Sequence, residues 1–306
     1  MEEFDLGIVG AGPAGYTAAL HGASLGQKVV LFEKGNIGGV CLNKGCIPTK
    51  SILHSSTLYK SIKNSEDFGI TVDGAKLNYA KVVEHKNKTI EKLRKGIELA
   101  LKNSKVTVIR EEAKILSKNE ISAGDEKFKC KKIICATGSS PKLIKGLEFD
   151  HKFLLSSDDI LNLVNLPKSI LIVGSGAIGI EWARIFSNFG VETTVVELAS
   201  HLLPLADIEV SKRVERIFKA NKIKFYTQTS VKKIADKTVI LSNDEILNPE
   251  IVLVAVGRTP NECEKVDGVI YIGDVPAEIQ LANLAFQHAI KEFELVEFRM
   301  VLVPAV

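Results

Sequence analysis

FDLGIVGAGPAGYTAALHGASLGQKVVLFE, residues 4–33, reads as strand, glycine turn, helix and strand. Asp5 to Val9 reads as a short apolar strand, and Gly10, Gly12 and Gly15 make a G-x-G-x-x-G turn. Small residues follow at helical spacing through Ala23, and Lys28 to Phe32 reads as a second strand ending at Glu33. A glycine triplet alone recurs by chance. This one has a strand before it, a helix after it, and an acid 23 residues beyond its first glycine. In such a unit the first glycine makes the tight turn and the second lets backbone amides approach a pyrophosphate. The third lets helix and strand pack, and the acid accepts hydrogen bonds from a ribose. Pro13 suits the first helical turn, where its missing N–H costs no bond.

SILIVGSGAIGIEWARIFSNFGVETTVVE, residues 169–197, repeats the unit with Gly174, Gly176, Gly179 and Glu197. The two first glycines lie 164 residues apart, so a whole domain recurs rather than a short solenoid period. Two units imply two dinucleotides. A carboxylate at Glu197 repels a 2′-phosphate, and Leu198 to Leu205 holds no Arg to receive one, so NAD is favoured over NADP.

Between the units, Leu77 to Asn103 reads as an amphipathic helix with Val82, Val83, Ile90, Leu93, Ile97 and Leu101 at helical spacing. Val106 to Glu111 reads as a strand, Ile115 to Phe128 as a hairpin, and Lys132 to Ala136 as a buried strand ending in Thr137-Gly138-Ser139. The chain restarts around Leu166-Pro167. Later come an apolar strand from Ile251 to Val256, the stretch Gly257-Arg258-Thr259-Pro260-Asn261, and Val269 to Gly273 before Asp274. Glu294 to Val306 reads as a final strand.

The 306 residues, 45% hydrophobic and 25% charged, exclude disordered and collagen-like classes. No apolar run approaches the roughly 20 residues that a membrane helix needs. Residues 1–5 carry two Glu and an Asp without a basic start or an apolar run, so the expectation is a cytoplasmic protein with no membrane partner. Net charge is +3, and the lysines between Lys81 and Lys132 alternate with Glu and few aromatics. That pattern is a solvated helix face rather than a nucleic-acid groove. Five cysteines argue against a disulfide framework and direct attention to any close pair.

That pair is Cys41-Leu42-Asn43-Lys44-Gly45-Cys46. On a regular helix a five-residue step separates Cα atoms by about 7.5 Å of rise and about 140° of rotation, beyond disulfide reach, so a bonded pair requires a break in the helix. Gly45 supplies a permissive backbone, and Pro48 suits a helix start, which puts Cys46 at a helix N-terminus where a thiolate is favoured. The residues leave two readings open: a pair that cycles, or two buried cysteines that never bond. No second Cys/His pair at zinc-like spacing completes a metal site.

GAGPAG (residues 10–15), GGVCLNKGCIPTK (38–50), ATGSSP (136–141), GSGAIGIE (174–181), VGRTPN (256–261) and IGDV (272–275), in this order, resemble the flavin disulfide reductase family, and within it the dihydrolipoyl dehydrogenase branch. The resemblance implies an α/β chain of two Rossmann-like domains of the three-layer ββα type. Residues 1–145 with 268–306 would bind FAD, and 146–267, inserted between them, NAD. It implies an FAD site of Gly10, Gly12, Gly15, Glu33, Lys50, Ala113, Thr137, Gly138, Ser139, Asp274 and Ala282, and an NAD site of Gly174, Gly176, Gly179, Glu181, Glu197, Val231 and Gly257. Lys50 and Glu181 would pair beside the flavin, with Cys46 the thiol facing it and Cys41 the one exchanging with substrate.

The implied activity passes electrons between a dithiol, such as dihydrolipoamide, and NAD through a Cys41–Cys46 disulfide and FAD. The implied partners are a lipoamide-bearing protein of a 2-oxo acid dehydrogenase or glycine cleavage system, or a small dithiol; no metal and no nucleic acid are implied. A flavoprotein with only NADH diaphorase activity and a non-catalytic remnant are the alternatives. The departures are Val40 for the usual Thr, Ala177 for a larger shielding residue, Asn283 for His and a short Asn261–Val269 segment. Family members also continue past the equivalent of Val306 into an interface domain carrying a His and a Glu, so the usual homodimer is not expected. Neither His201 nor His288 sits in such a motif.

Overall fold

A computed structural model describes residues 2–263, 265–276 and 280–293. The expected strand from Glu294 to Val306 lies outside the described residues. The chain forms two units: residues 1–43, 92–140 and the described part of 260–306 make the first, and 44–91 with 141–259 make the second.

In the first unit, Thr107–Ile109, Val29–Phe32, Glu3–Val9 and Glu126–Cys135 lie side by side in that order, all parallel. The last of these strands has a double use. Its first residues pair antiparallel with Glu120–Ala123, which pairs in turn with Ala113–Ser117, while Ile134 and Cys135 run parallel to Ile270 and Tyr271. The sequence reading ended one element at Phe128 and began another at Lys132, whereas one ten-residue strand spans both. The reason is period-two alternation: Phe128 and Cys130 point inward while Lys127, Lys129 and Lys131 point to solvent, so the lysines interrupt the apolar run without ending the strand.

The same alternation builds three layers. Val29, Leu31 and Ile134 face Ala14, Ala18 and Ala19 of the helix Pro13–Ser24, with Leu101, Ala285 and Ala289. Val30, Phe32, Ile133 and Cys135 face Ile121 and Phe128 of the antiparallel strands.

In the second unit, Lys224–Tyr226, Glu192–Val196, Ser169–Val173, Ile251–Val254 and Leu154–Leu155 form a parallel sheet in that order. Val231–Ala235, Thr238–Leu241 and Ile246–Leu247 form a separate antiparallel sheet. The helix Ala177–Phe189 buries Trp182, Ile185 and Phe186, and the helix Cys46–Lys63 packs against it. Ile52 enters the same core, and the fully buried Ser56 hydroxyl oxygen accepts from Asn188 Nδ2 at 3.3 Å. These contacts group residues 44–91 with this unit.

The long amphipathic helix runs over Tyr79–Asn103. Tyr79, Val82 and Val83 join the second unit's core, and Ile97 and Leu101 join the first unit's. Leu93, expected on the apolar face, is 42% exposed, whereas Ile90 one turn before it is buried. Lys86 is the opposite exception. It is buried, its amine donates to the carbonyl of Leu161 at 2.7 Å, and burial holds its pKa below the usual lysine value. Among the described residues no helix is long and apolar enough to cross a membrane.

Candidate active site

Gly10 and Gly174 occupy the same backbone state, each with φ +99°. A Cβ on Gly10 would overlap the carbonyl of Ala136, and one on Gly174 that of Ala255. At the third positions, Gly15 and Gly179, a Cβ would strike the carbonyl oxygens of Gly10 and Gly174. Internal packing therefore accounts for the first and third glycines of both units.

It does not account for the second. A Cβ on Gly12 would meet only the Gly39 Cα at 3.8 Å, and one on Gly176 nothing within 4 Å. Gly12 and Gly176 are extended N-caps of the helices Pro13–Ser24 and Ala177–Phe189, neither helix has a side-chain cap, and neither has an acid in its first turn. Uncapped amides at a helix N-terminus beside open space make an anion cradle, which suits the pyrophosphates of two dinucleotides.

The two acids brace these loops in the same way. Glu33 accepts from the amides of Ala11 and Gly35, both at 2.8 Å. Glu197 accepts from the amides of Ser175 at 2.7 Å and Ala199 at 2.8 Å, and additionally from the Ser175 hydroxyl at 2.6 Å. Burial raises the Glu197 carboxyl, but the Ala199 amide, the Ser175 hydroxyl and amide, and the Leu198 amide outweigh it and hold the group below the usual carboxylate value. The sequence reading gave these acids to a ribose alone; they also hold the glycine turns. Each carboxylate has about four acceptor sites, so Glu33 keeps more of them for a ligand than Glu197 does.

A cleft of about 610 Å³ opens beside the first loop. Gly10, Glu33, Ala113 and Thr137 line it together with Asn261 and Cys263. Ser139, buried, donates to Asp274 at 2.6 Å, which joins two of the expected FAD residues. Ala282 opens the helix Ala282–Lys291, with Asn283 exposed beside it. In the second unit, Val231 opens a strand of the small antiparallel sheet, and Gly257 takes φ +108°.

Asn261 was not among the expected site residues. Its side-chain amide donates to the Thr137 carbonyl at 2.7 Å, its backbone amide to Gly138 at 2.9 Å, and its carbonyl oxygen accepts from Ser140 at 2.6 Å. It clamps the Thr137–Ser140 turn, and its place in VGRTPN was the available signal.

The cysteine segment is not one regular helix. One helix covers Gly39–Lys44, Gly45 takes φ −143° and ψ −111°, and a second helix begins at Cys46 and runs to Lys63. Pro48 lies in the first turn. Cys41 and Cys46 are both half-buried. Gly38 and Gly39 press this segment onto the first glycine loop: the Gly38 amide donates to the Ala11 carbonyl at 2.8 Å, and a Cβ on Gly39 would sit 2.5 Å from the Gly12 Cα. Asn43 ties the segment down by donating to the carbonyls of Asn36, Ile37 and Gly39. Burial raises the Tyr16 phenol, and the charge of Cys41 raises it further.

Lys50, on the helix that Cys46 starts, pairs with Glu181 at 2.6 Å. Val40 lies in the helix Gly39–Lys44, and Ala177 is exposed at its helix start. His201 Nδ1 stands 3.2 Å from its neighbour's carbonyl, and His288 sits in the last turn of its helix. Among the described residues no group of three or more His, Cys, Asp or Glu is placed to hold a metal ion.

Residues 4–269 match the sequence profile of the pyridine nucleotide-disulphide oxidoreductases. The dihydrolipoyl dehydrogenase of Bacillus subtilis is 35% identical over 94% of this chain and 70% of its own length. That of Acholeplasma laidlawii is 35% identical over 93% of both chains. That of Chlamydia pneumoniae is 37% identical, and there the chain spans 58% of the relative's length. In fold, LpdA of Mycobacterium tuberculosis superposes with a TM-score of 0.84 at 20% identity, covering 94% of this chain and 71% of that one. The flavoprotein disulfide reductase RclA of Escherichia coli gives 0.81 at 24% identity, over 95% of this chain and 70% of its own. With a profile match across most of its length and relatives above 30% identity, this chain belongs to the pyridine nucleotide-disulphide oxidoreductase family.

Proposed function

We propose that the first unit holds FAD, the second holds NAD, and Cys41 and Cys46 carry electrons between a dithiol of the dihydrolipoamide class and NAD. FAD and NAD are the cofactors of the family, and the general role is that of a disulfide oxidoreductase. The observation that carries the finer reading is the break at Gly45, which starts an 18-residue helix on Cys46 five residues after Cys41. A helix N-terminus offers amide donors to a thiolate leaving group.

In the oxidised state the pair is a disulfide. A substrate thiolate attacks Cys41 Sγ, the bond to Cys46 breaks, and Cys46 leaves as a thiolate. The second substrate thiol attacks the substrate sulfur of this mixed disulfide, closing the substrate's own disulfide and releasing Cys41. The substrate loses two electrons, the pair gains them, and the thiol protons pass to the pair and to solvent. FAD, when bound, supplies the relay that hands the two electrons to NAD. Lys50, paired with Glu181, sets a positive charge on the Cys46 helix. A lipoamide-bearing protein of a 2-oxo acid dehydrogenase or glycine cleavage system is the proposed partner.

The test is NADH-dependent reduction of lipoamide on FAD-saturated protein, with a dye acceptor in parallel. Turnover of both supports the reading. Dye reduction alone replaces it with a diaphorase activity, and turnover of neither overturns the catalytic reading altogether.

A further inference from the structure

Outside the Cys41–Cys46 segment, two more cysteines meet. Cys135 ends the strand Glu126–Cys135, and Cys263 lies 128 residues later in the segment after Asn261. Their sulfurs stand 2.8 Å apart, less than about 1 Å from the roughly 2.05 Å of a disulfide bond. Cys135 Sγ also sits 3.6 Å from the Thr137 hydroxyl. Both cysteines line the 610 Å³ cleft beside the first glycine loop, together with Thr137, Glu33 and Asn261. Cys135 is fully buried, whereas Cys263 is half-buried, so a small reagent reaches Cys263 first. The third remaining cysteine, Cys130, is buried and its thiol is pushed up to about 11 by burial, which lowers its thiolate character.

We propose that Cys135 and Cys263 form a second redox-active pair in the wall of this cleft, oxidised to a disulfide by peroxide. Cys263 sulfur attacks one peroxide oxygen, the O–O bond breaks, and the other oxygen leaves as water with the thiol proton. Cys135 sulfur then attacks the sulfenic sulfur; an S–S bond forms, and the hydroxyl leaves as water with the Cys135 proton. Two thiols are oxidised by two electrons, and one peroxide becomes two waters. Closure ties Cys263, and Asn261 two residues before it, to the strand end that leads into Thr137.

Trypsin cuts Cys135 and Cys263 into separate peptides, residues 133–142 and 259–265, each with one cysteine. The FAD-loaded full chain is reduced, desalted, treated with hydrogen peroxide, denatured in N-ethylmaleimide, digested and weighed. The expected result is the two peptides joined, lighter by two hydrogens than their sum, with each alkylated peptide falling about tenfold against the untreated chain, since a neighbouring thiol captures a sulfenic acid reversibly as a disulfide. Two peptides still alkylated singly, or Cys263 over-oxidised beside an alkylated Cys135, would overturn the proposal. Because Cys135 is fully buried, Cys135→Ser puts the fold at risk, so Cys263→Ser is the control. It removes the joined peptide and leaves Cys135 alkylated. Loss of the Cys135 peptide to a different partner in that variant would also overturn the pairing.

Discussion

Ser175 donates twice to one oxygen of Glu197, through its amide at 2.7 Å and its hydroxyl at 2.6 Å. Glu197 is 8% exposed, so this carboxylate anchors the second glycine turn from inside the unit. Glu197→Gln replaces an acceptor with an amide facing donors, at a cost of about 1.5–3 kcal/mol at neutral pH. The turn loosens, so NADH affinity falls while FAD content holds; calorimetric titration and the flavin-to-protein absorbance ratio check the two effects. The pH dependence has a definite sign. The folded carboxyl lies below its ordinary 4.5, so its contribution is present above that value and is lost as pH falls through the folded value. The gap in melting temperature between parent and variant should therefore narrow on acidification below about 4.5. A gap that widens there contradicts the assignment.

The second glycines should separate ligand binding from folding. A methyl at Gly176 meets no protein atom within 4 Å, and one at Gly12 meets only Gly39 at 3.8 Å. Gly12→Ala should strip FAD, and Gly176→Ala should weaken NADH about tenfold or more, each with a melting temperature of the apoprotein within a few degrees of the parent's. Gly15→Ala places its methyl on the Gly10 carbonyl and should fail to accumulate as folded protein. If Gly12→Ala and Gly15→Ala behave alike, the second glycine is structural and the cradle reading falls.

Local spacing is legible in the sequence, and contacts between distant residues are not. The glycines, their acids and the helix start at Cys46 are local patterns, in which spacing fixes geometry, and they appear where the sequence puts them. The Ser175 hydroxyl fills a loop position that a glycine pattern leaves unspecified. Asn261 reaches Thr137 across 124 residues and Cys135 reaches Cys263 across 128, and no local pattern encodes contacts of that range. The ten-residue strand was divided because its alternating lysines mask an apolar face. Lys86 looked like one more member of a solvated face, and only the packing shows that its amine serves the Leu161 carbonyl.

Lys50 and Glu181 make a close pair, yet their side chains are 57% and 30% exposed. Such a pair contributes about 0–1 kcal/mol, so on the proposed reading its part is to place charge rather than to stabilise the fold. Lys50→Met should leave the melting temperature nearly unchanged and lower turnover with lipoamide much more than NADH affinity. Glu181→Gln should act in the same direction more weakly, because the lysine charge remains. A melting temperature that drops steeply in Lys50→Met with unchanged turnover reverses this assignment.

The proposed division of labour between the two cysteines rests on their helices. Cys46 is the first residue of the helix Cys46–Lys63, whose N-cap is Gly45 with no capping side chain, so amide donors stand ready for a thiolate there. Cys41 lies inside the preceding short helix. Partial reduction of FAD-loaded protein should develop a long-wavelength absorbance from a thiolate beside the flavin. Cys46→Ser should abolish that band, and Cys41→Ser should keep or strengthen it while ending lipoamide turnover, because the exchanging sulfur is gone and the stabilised one remains. Both variants should retain dye reduction by NADH, which needs no thiol. The opposite spectral pattern, with the band lost in Cys41→Ser and kept in Cys46→Ser, exchanges the two roles and removes the helix N-terminus as the reason for them.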